Sequence, residues 1–226
     1  MTIAEIINHD LPILKPTDSV RNALNWMEEN RIGQLVVVDA GKYAGIVSEE
    51  ILLGYDEEME LTDVMLQFSE ISLFDYQHIY ESLSLISKYN SGGVPLQVIG
   101  VIDEEENFVG IITASEVYAK FGELLGSQEP GAVLVISIKN RDYSLAEISR
   151  LVESDNAKIL SSYFTGNTYL NNESASLTLK INRESITSIV ATLERFGYTV
   201  EASYAHEPVE SIEQERYNML MKYLSV

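Results

Sequence analysis

The chain contains no cysteine. That excludes disulfides, thiolate catalysis and cysteine-bound zinc or iron–sulfur centres, and it fits a cytoplasmic location. Histidine is nearly as scarce. His9, His78 and His206 lie far apart and show no His-x-x-x-His spacing, so no metal site is expected. Basic residues are few, with 15 Lys and Arg against 35 Asp and Glu and a formal charge of −20. The imbalance is concentrated in residues 1–126, which hold 6 basic and 22 acidic side chains. Nucleic acid and anionic lipid both need clustered Lys and Arg, so neither is an expected partner. Solubility is the plain use of such acidity. No apolar run approaches the roughly 18 residues of a membrane span. Residues 1–5 show no basic stretch leading into an apolar one, so no signal peptide is expected. Neither a Gly-x-Ser-x-Gly elbow nor a Walker loop is present, and no catalysis is expected.

What is present is a core and a repeat. Hydrophobic residues make up 46% of 226, enough for one large domain or two smaller ones. The segment Gly110-Ile111-Ile112-Thr113-Ala114-Ser115-Glu116 has an earlier copy, Gly45-Ile46-Val47-Ser48-Glu49-Glu50-Ile51. Each is an apolar strand that enters through glycine, ends in a hydroxyl residue and runs into a helix. Two similar units packed together leave a cleft suited to a ligand.

The surrounding pattern also repeats. Residues 1–8 read as a short amphipathic helix, and Ile13-Leu14 as a short strand. Lys15-Pro16-Thr17-Asp18-Ser19 is a capped turn, and Val20, Ala23, Leu24 and Met27 keep helical spacing. Leu35-Val36-Val37-Val38 reads as a strand buried on both faces. In the second copy a helix over residues 79–89 has Leu83, Leu85 and Ile86 as its core, and a strand is expected from Val94 to Asp103. The offset between copies grows from 59 at Gly33/Gly92 to 65 at Gly45/Gly110. Extra residues are therefore expected around 96–101, with Gly100 at a bulge or bend.

Strand–helix–strand–strand–helix, used twice, resembles a CBS domain pair (a Bateman module), with repeats at residues 1–60 and 61–126. The likeness rests on the Lys15 to Val20 entry, the apolar strand with its turn, and the Gly-Ile-Val-Ser or Gly-Ile-Ile-Thr exit. The resemblance implies an adenosine-containing ligand between the repeats. The adenine would lie among apolar strand residues, here Ile111 and Ile112, with Gly93, Val94 and Pro95 at the strand entry. The strand-end hydroxyl, Thr113 or Ser48, would contact phosphate, and Thr17 lies in the matching entry turn. An acid three positions on would bind the ribose, because a carboxylate accepts from two hydroxyls at once. Glu116 supplies that acid in the second copy, where the family usually has aspartate. Ile51 stands at the first-copy position and cannot bind ribose, which leaves one competent half-site. The Thr113–Glu116 pair reads equally well as a helix N-cap with a first-turn acid. Only Lys15, Arg21, Arg31, Lys42, Lys88 and Lys120 are basic in the pair. AMP or another adenosyl compound therefore fits better than ATP.

Gly126-Ser127-Gln128-Glu129-Pro130-Gly131 reads as a linker. Residues 131–206 then give the order βαββαβ, a ferredoxin-like four-stranded sheet with two helices on one face. This part resembles an ACT domain. Tyr143 stands where that family's ligand-binding turn has glycine, so structural or dimerising use is expected rather than amino-acid binding. Residues 207–226 read as a C-terminal helix with Ile212, Met219, Leu220, Tyr223 and Leu224 on one side, docking on its own protein or a dimer mate. The fold class is thus mixed α+β. The whole is similar to acetoin-utilisation regulatory CBS–ACT proteins. That implies a non-catalytic cytoplasmic sensor, a homodimer, with a protein partner the residues do not name. The alternative is a dimerisation or scaffold protein whose CBS and ACT sites are degenerate.

Overall fold

The computed structural model describes residues 1–91, 95–139, 144–166, 174–205 and Met221. The expectations for Gly93, Val94, Tyr143, His206 and the C-terminal helix fall outside the described residues. The chain forms two compact units, Met1–Phe121 and Gly122–Val226. The fold is mixed α+β. No helix among the described residues is long and apolar enough to cross a membrane.

In the first unit, the first repeat carries α1 (Val20–Asn30), β1 (Gln34–Asp39), β2 (Lys42–Ser48) and the short α2 (Glu49–Leu52). The second carries β3 (Ser72–Phe74), α3 (Ile79–Asn90), β4 (Val98–Ile102), β5 (Phe108–Thr113) and α4 (Ala114–Leu124). α1 starts where Ser19 accepts a hydrogen bond from Asn22 N, and it ends at Arg31 in the left-handed region. β1 pairs antiparallel with β2, and β4 with β5. The parallel third strand is β3 in the second repeat. In the first it shrinks to a single bridge, Leu14 to Val37.

β1 is buried on both faces because it belongs to two cores. Leu35 and Val37 pack with Val20, Ala23, Met27 and Leu52 of their own repeat. Val36 and Val38 join Ile46, Ile99, Val101 and Ile111 in a core shared by the two repeats.

The repeats also exchange their entry segments. The N-terminal stretch, with a 3-10 turn at Ile3–Ile6 in place of the expected longer helix, bridges the second repeat at His78 (from Thr2) and Ile111 (from Asn8). The connection between the repeats, residues 53–71, does the reciprocal thing, bridging the first repeat at Ser19 (from Glu60) and Ile46 (from Gln67).

Three details depart from expectation. The extra residues of the second copy lie mainly ahead of β4, which starts at Val98: residues 91–97 separate α3 from β4, where 31–33 separate α1 from β1. Gly100 is not at a bulge. The irregularity lies between Val101 and Ile102, and a Cβ on Gly100 would come within 2.4 Å of the Tyr43 ring. Glycine is needed there because a side chain of the other repeat fills the space. On α3 the fully buried positions are Ile79, Ser82 and Ile86, while Leu83 and Leu85 are half-buried. Ser82 tolerates burial because its hydroxyl donates to Ile79 O at 2.7 Å.

The second unit is β6 (Ala132–Lys139), α5 (Leu145–Glu153), β7 (Ile159–Gly166), β8 (Ser174–Ile181), α6 (Thr187–Arg195) and β9 (Thr199–Tyr204). All its pairings are antiparallel, in the order β7-β8-β6-β9. This is the ferredoxin-like arrangement. Leu134, Ile136, Leu177 and Leu179 face Ile148, Leu151, Ile189 and Leu193 of the helices.

Candidate functional site

The two strand-to-helix junctions have the same backbone plan and different side-chain chemistry. At the second, Thr113 caps α4, with its Oγ1 accepting from Glu116 N at 3.1 Å. Glu116 Oε2 accepts in return from Thr113 N at 3.0 Å and from Thr113 Oγ1 at 2.8 Å. This reciprocal pair is a capping box. The other oxygen, Glu116 Oε1, accepts from Asn8 Nδ2 of the N-terminal segment at 2.5 Å. Both oxygens of the carboxylate therefore have donors already. Oε2 accepts twice within the capping box and Oε1 once, so Oε1 is the oxygen with room for a ribose hydroxyl, beside Asn8 or in its place.

At the first junction Ser48 is buried and makes no capping hydrogen bond with its side chain. Ile51 offers no acceptor. Gln67 lies against Ile46 as Asn8 lies against Ile111, and its Oε1 is buried without a hydrogen-bond partner. One junction is internally satisfied. The other retains an orphan acceptor.

Between the junctions the repeats are joined by two glutamines. Gln34, 2% exposed, donates from Nε2 to Pro95 O at 2.8 Å and accepts at Oε1 from Gln97 N at 2.8 Å. Gln97 answers by accepting from Gly33 N at its Oε1, at 3.0 Å. At the far end Tyr43 donates its hydroxyl to Phe68 O at 2.8 Å, and burial pushes the pKa of that hydroxyl up.

The structure places the expected site residues unevenly. Thr113 and Glu116 come together, whereas Ser48 sits at the other junction. Ile111 and Ile112 are fully buried in the shared core, and the backbone of Ile111 is already bonded to that of Asn8, so neither offers a surface to a ligand as the chain stands. Pro95 is exposed, with its carbonyl held by Gln34. Thr17 is exposed in the turn before α1, and none of the hydrogen bonds that hold Thr113 and Glu116 involves it. Cations for a phosphate are further reduced. Arg21 is paired with Glu57 and Glu58, and Lys42 donates to Glu105 O.

Asn8, Gln34, Gln67 and Gln97 were not legible as site residues. Two features of the sequence bear on three of them, and none on Gln97. Asn8 and Gln67 keep the 59-residue offset of the repeat, and Gln34 is a polar residue opening an otherwise apolar run.

Over about half of this chain the fold is similar to that of a CBS domain pair/ACT domain protein from Thermotoga maritima, at 22% identity and a TM-score of 0.49, covering 55% of this chain and 99% of that one. CBSX2, solved with AMP, is 20% identical with a TM-score of 0.46, covering 54% and 96% of the respective chains. The CBS domain pair of protein MJ0100, solved with 5′-methylthioadenosine and S-adenosyl-L-methionine, is 20% identical with a TM-score of 0.45, covering 54% and 97%. Residues 3–58 match the family model described as CBS domain. The first repeat is thus similar to a CBS domain in sequence, and the second repeats its order of strands and helices.

Proposed function

We propose that this chain is a non-catalytic regulatory sensor that takes an adenosine-containing ligand at the junction of Thr113 and Glu116. The supporting observation is the asymmetry of the two junctions within a CBS-like pair. Only the second has a carboxylate three residues after the strand-end hydroxyl, where the first has Ile51 and carries its acids at Glu49 and Glu50 instead, and one oxygen of Glu116 is held by a side chain from outside the junction. A ribose hydroxyl would replace Asn8 on Glu116 Oε1, while the capping box keeps the helix start in place. The ligand would then compete with the N-terminal segment, and that competition is the differential affinity a switch requires. Scarce cations favour AMP or another adenosyl compound over a triphosphate. The order of the two units is similar to acetoin-utilisation regulatory CBS–ACT proteins, and a cytoplasmic homodimer acting on a protein partner completes the reading.

The test is thermal unfolding of the full chain with AMP, ADP, ATP and S-adenosylmethionine, for wild type, Asn8→Ala and Glu116→Ala. Ligand at about 100 times Kd adds roughly 2.7 kcal/mol, a rise on the order of 5–10 °C. The rise should be lost in Glu116→Ala and enlarged in Asn8→Ala, which lacks the competitor. A flat response in all three proteins rejects the site.

A second reading has its own support. Glu116 with donors on both oxygens, Ile51 without an acceptor, and the glutamine bridge favour repeats that hold one another without a ligand. A ligand-free dimerisation or scaffold protein would show that flat response.

A further inference from the structure

The sheet of the second unit has two faces in different surroundings. Leu134, Ile136, Leu177 and Leu179 face α5 and α6. The register puts Val133 and Val135 of β6 on the other face, beside Thr178 of β8, Tyr163 of β7, and Ala202 and Tyr204 of β9. An antiparallel sheet with helices on one side ordinarily keeps its other face in water. Here the centre is dry and the rims are wet. Thr178 is 6% exposed, and Val133 and Val135 are half-buried, whereas Tyr163 is 52% exposed and Tyr204 66%. That gradient suits a cover about 10 Å wide, the breadth of one helix, on a sheet about 14 Å across. The linker meets one corner of this face, where Leu125 O accepts from Ser161 Oγ at 2.7 Å and Gly131 O from Lys180 Nζ at 3.4 Å.

The chain carries a segment of the right size and position. β9 ends at Tyr204, opposite Val133. Beyond it, Ile212, Met219, Leu220, Tyr223 and Leu224 form the apolar stripe of a C-terminal helix. Met221, off that stripe, is helical and 47% exposed. Residues 208–225 as a helix span about 27 Å, the length of a strand such as β6, Ala132–Lys139.

Charge sets the direction. Tyr204 and Lys180 both pair with Val133, at one end of the face. Glu201 accepts from Ser176 Oγ at 2.9 Å, and Ser176 pairs with Ser137 at the other end. A helix folding back from Tyr204 must run from the Lys180 end to the Glu201 end. Its charges are ordered to match, since Glu207, Glu210, Glu213 and Glu215 precede Arg216 and Lys222. Acids then approach the lysine and bases the glutamate, which fixes orientation.

We infer that residues 208–225 fold back as a helix onto the open face of their own sheet, antiparallel to β9, with the apolar stripe over Val135 and Thr178. The occupant is the chain's own end rather than a second copy. Tyr204 delivers it to the face through a turn of ordinary length, and the charge order is complementary without a partner. The inference does not depend on any ligand.

The absence of cysteine makes the test direct. Val133 and Ser137 mark the two ends of the face, about 13 Å apart. Double-cysteine variants of the full-length protein are oxidised and compared. The inference brings together Val133→Cys with Ile212→Cys, and Ser137→Cys with Leu220→Cys. The crossed pairs are Val133→Cys with Leu220→Cys, and Ser137→Cys with Ile212→Cys. The matched pairs should close a disulfide within one chain at least tenfold faster than the crossed pairs. Equal rates or faster crossed pairs overturn the inference. So do bonds formed only between chains, which would place a second copy on the face. Amide hydrogen exchange of the wild type and Thr178→Asp is the second measurement, because aspartate sets a charge beneath the stripe. Exchange across residues 211–224 should rise at least tenfold in Thr178→Asp while α5 and α6 keep theirs. Unchanged exchange across 211–224 overturns the inference. If Thr178→Asp loosens α5 and α6 as well, the cross-linking rates decide.

Discussion

Replacing Gly100 by alanine tests how the two repeats of the first unit are held together. The added Cβ would lie 2.4 Å from Tyr43 Cδ2 and 2.5 Å from Cε2. Carbon atoms rest at about 3.5–4.0 Å, so the ring must move by more than an ångström. It has little freedom to do so. The half-buried ring packs on the core shared by the repeats, and its hydroxyl is fixed on Phe68 O at 2.8 Å. Overpacking costs about 1–3 kcal/mol, and loss of the hydrogen bond about 1 kcal/mol more. The expected destabilisation is therefore about 2–4 kcal/mol. Trp26 is the sole tryptophan and sits on α1, so its fluorescence in a urea titration reports the first unit. With a slope of about 2 kcal/mol per molar urea, the midpoint should fall by about 1–2 M. In a Tyr43→Leu background the same glycine substitution should cost less than half as much, because the clashing ring is gone. An equal penalty in both backgrounds would show that Gly100 is required for some reason other than Tyr43.

The remaining predictions concern other contacts. Gln34→Leu leaves Pro95 O and Gln97 N without their partner and should cost about 2–4 kcal/mol in the Trp26 titration; no change would mean water replaces the bridge. Asp103 is held below the usual carboxylate range by the Asn107 side chain, then by the backbone amides of Asn107 and Glu105. A lowered folded pKa stabilises above the unfolded value, near 3.9, and that stabilisation is lost as pH falls through the folded one. The stability gap between wild type and Asp103→Asn should therefore be largest at neutral pH and close at acid pH, whereas a gap independent of pH would refute the assignment. In the second unit, a Cβ on Gly131 would sit 2.0 Å from Ile181 O, at a φ of +147°. Gly131→Ala should accelerate amide hydrogen exchange along β6 and β8 at least tenfold, and unchanged exchange would mean the backbone there yields cheaply.

Much of the architecture was legible in the residues because it rests on short-range physics. Ser19, Val20, Ala23 and Met27 mark a capped amphipathic helix through local hydrogen bonds and the 3.6-residue period, and α1 lies there. The unbroken apolar run at residues 35–38 marks a strand with no solvent face, and alternate residues of β1 do enter two cores. The βαββαβ order of the second half was equally readable, since each strand and helix there has its own period and stop signal. Thr113 and Glu116 were visible for the same reason. Three residues apart, they meet in any helix start.

The partners across the repeats were hidden, because no local pattern encodes them. That Asn8 would hold Glu116, Gln67 lie against Ile46 with an orphan oxygen, and Tyr43 lie over Gly100 depends on residues 21 to 108 positions apart, brought together when the repeats pack. Such contacts follow from the pairing of two whole sheets, and only the assembled pair of repeats specifies them. Composition and period therefore set which elements form and where acid is abundant. Packing of the two repeats against each other sets which junction is satisfied, which remains open, and which side chains a ligand would meet.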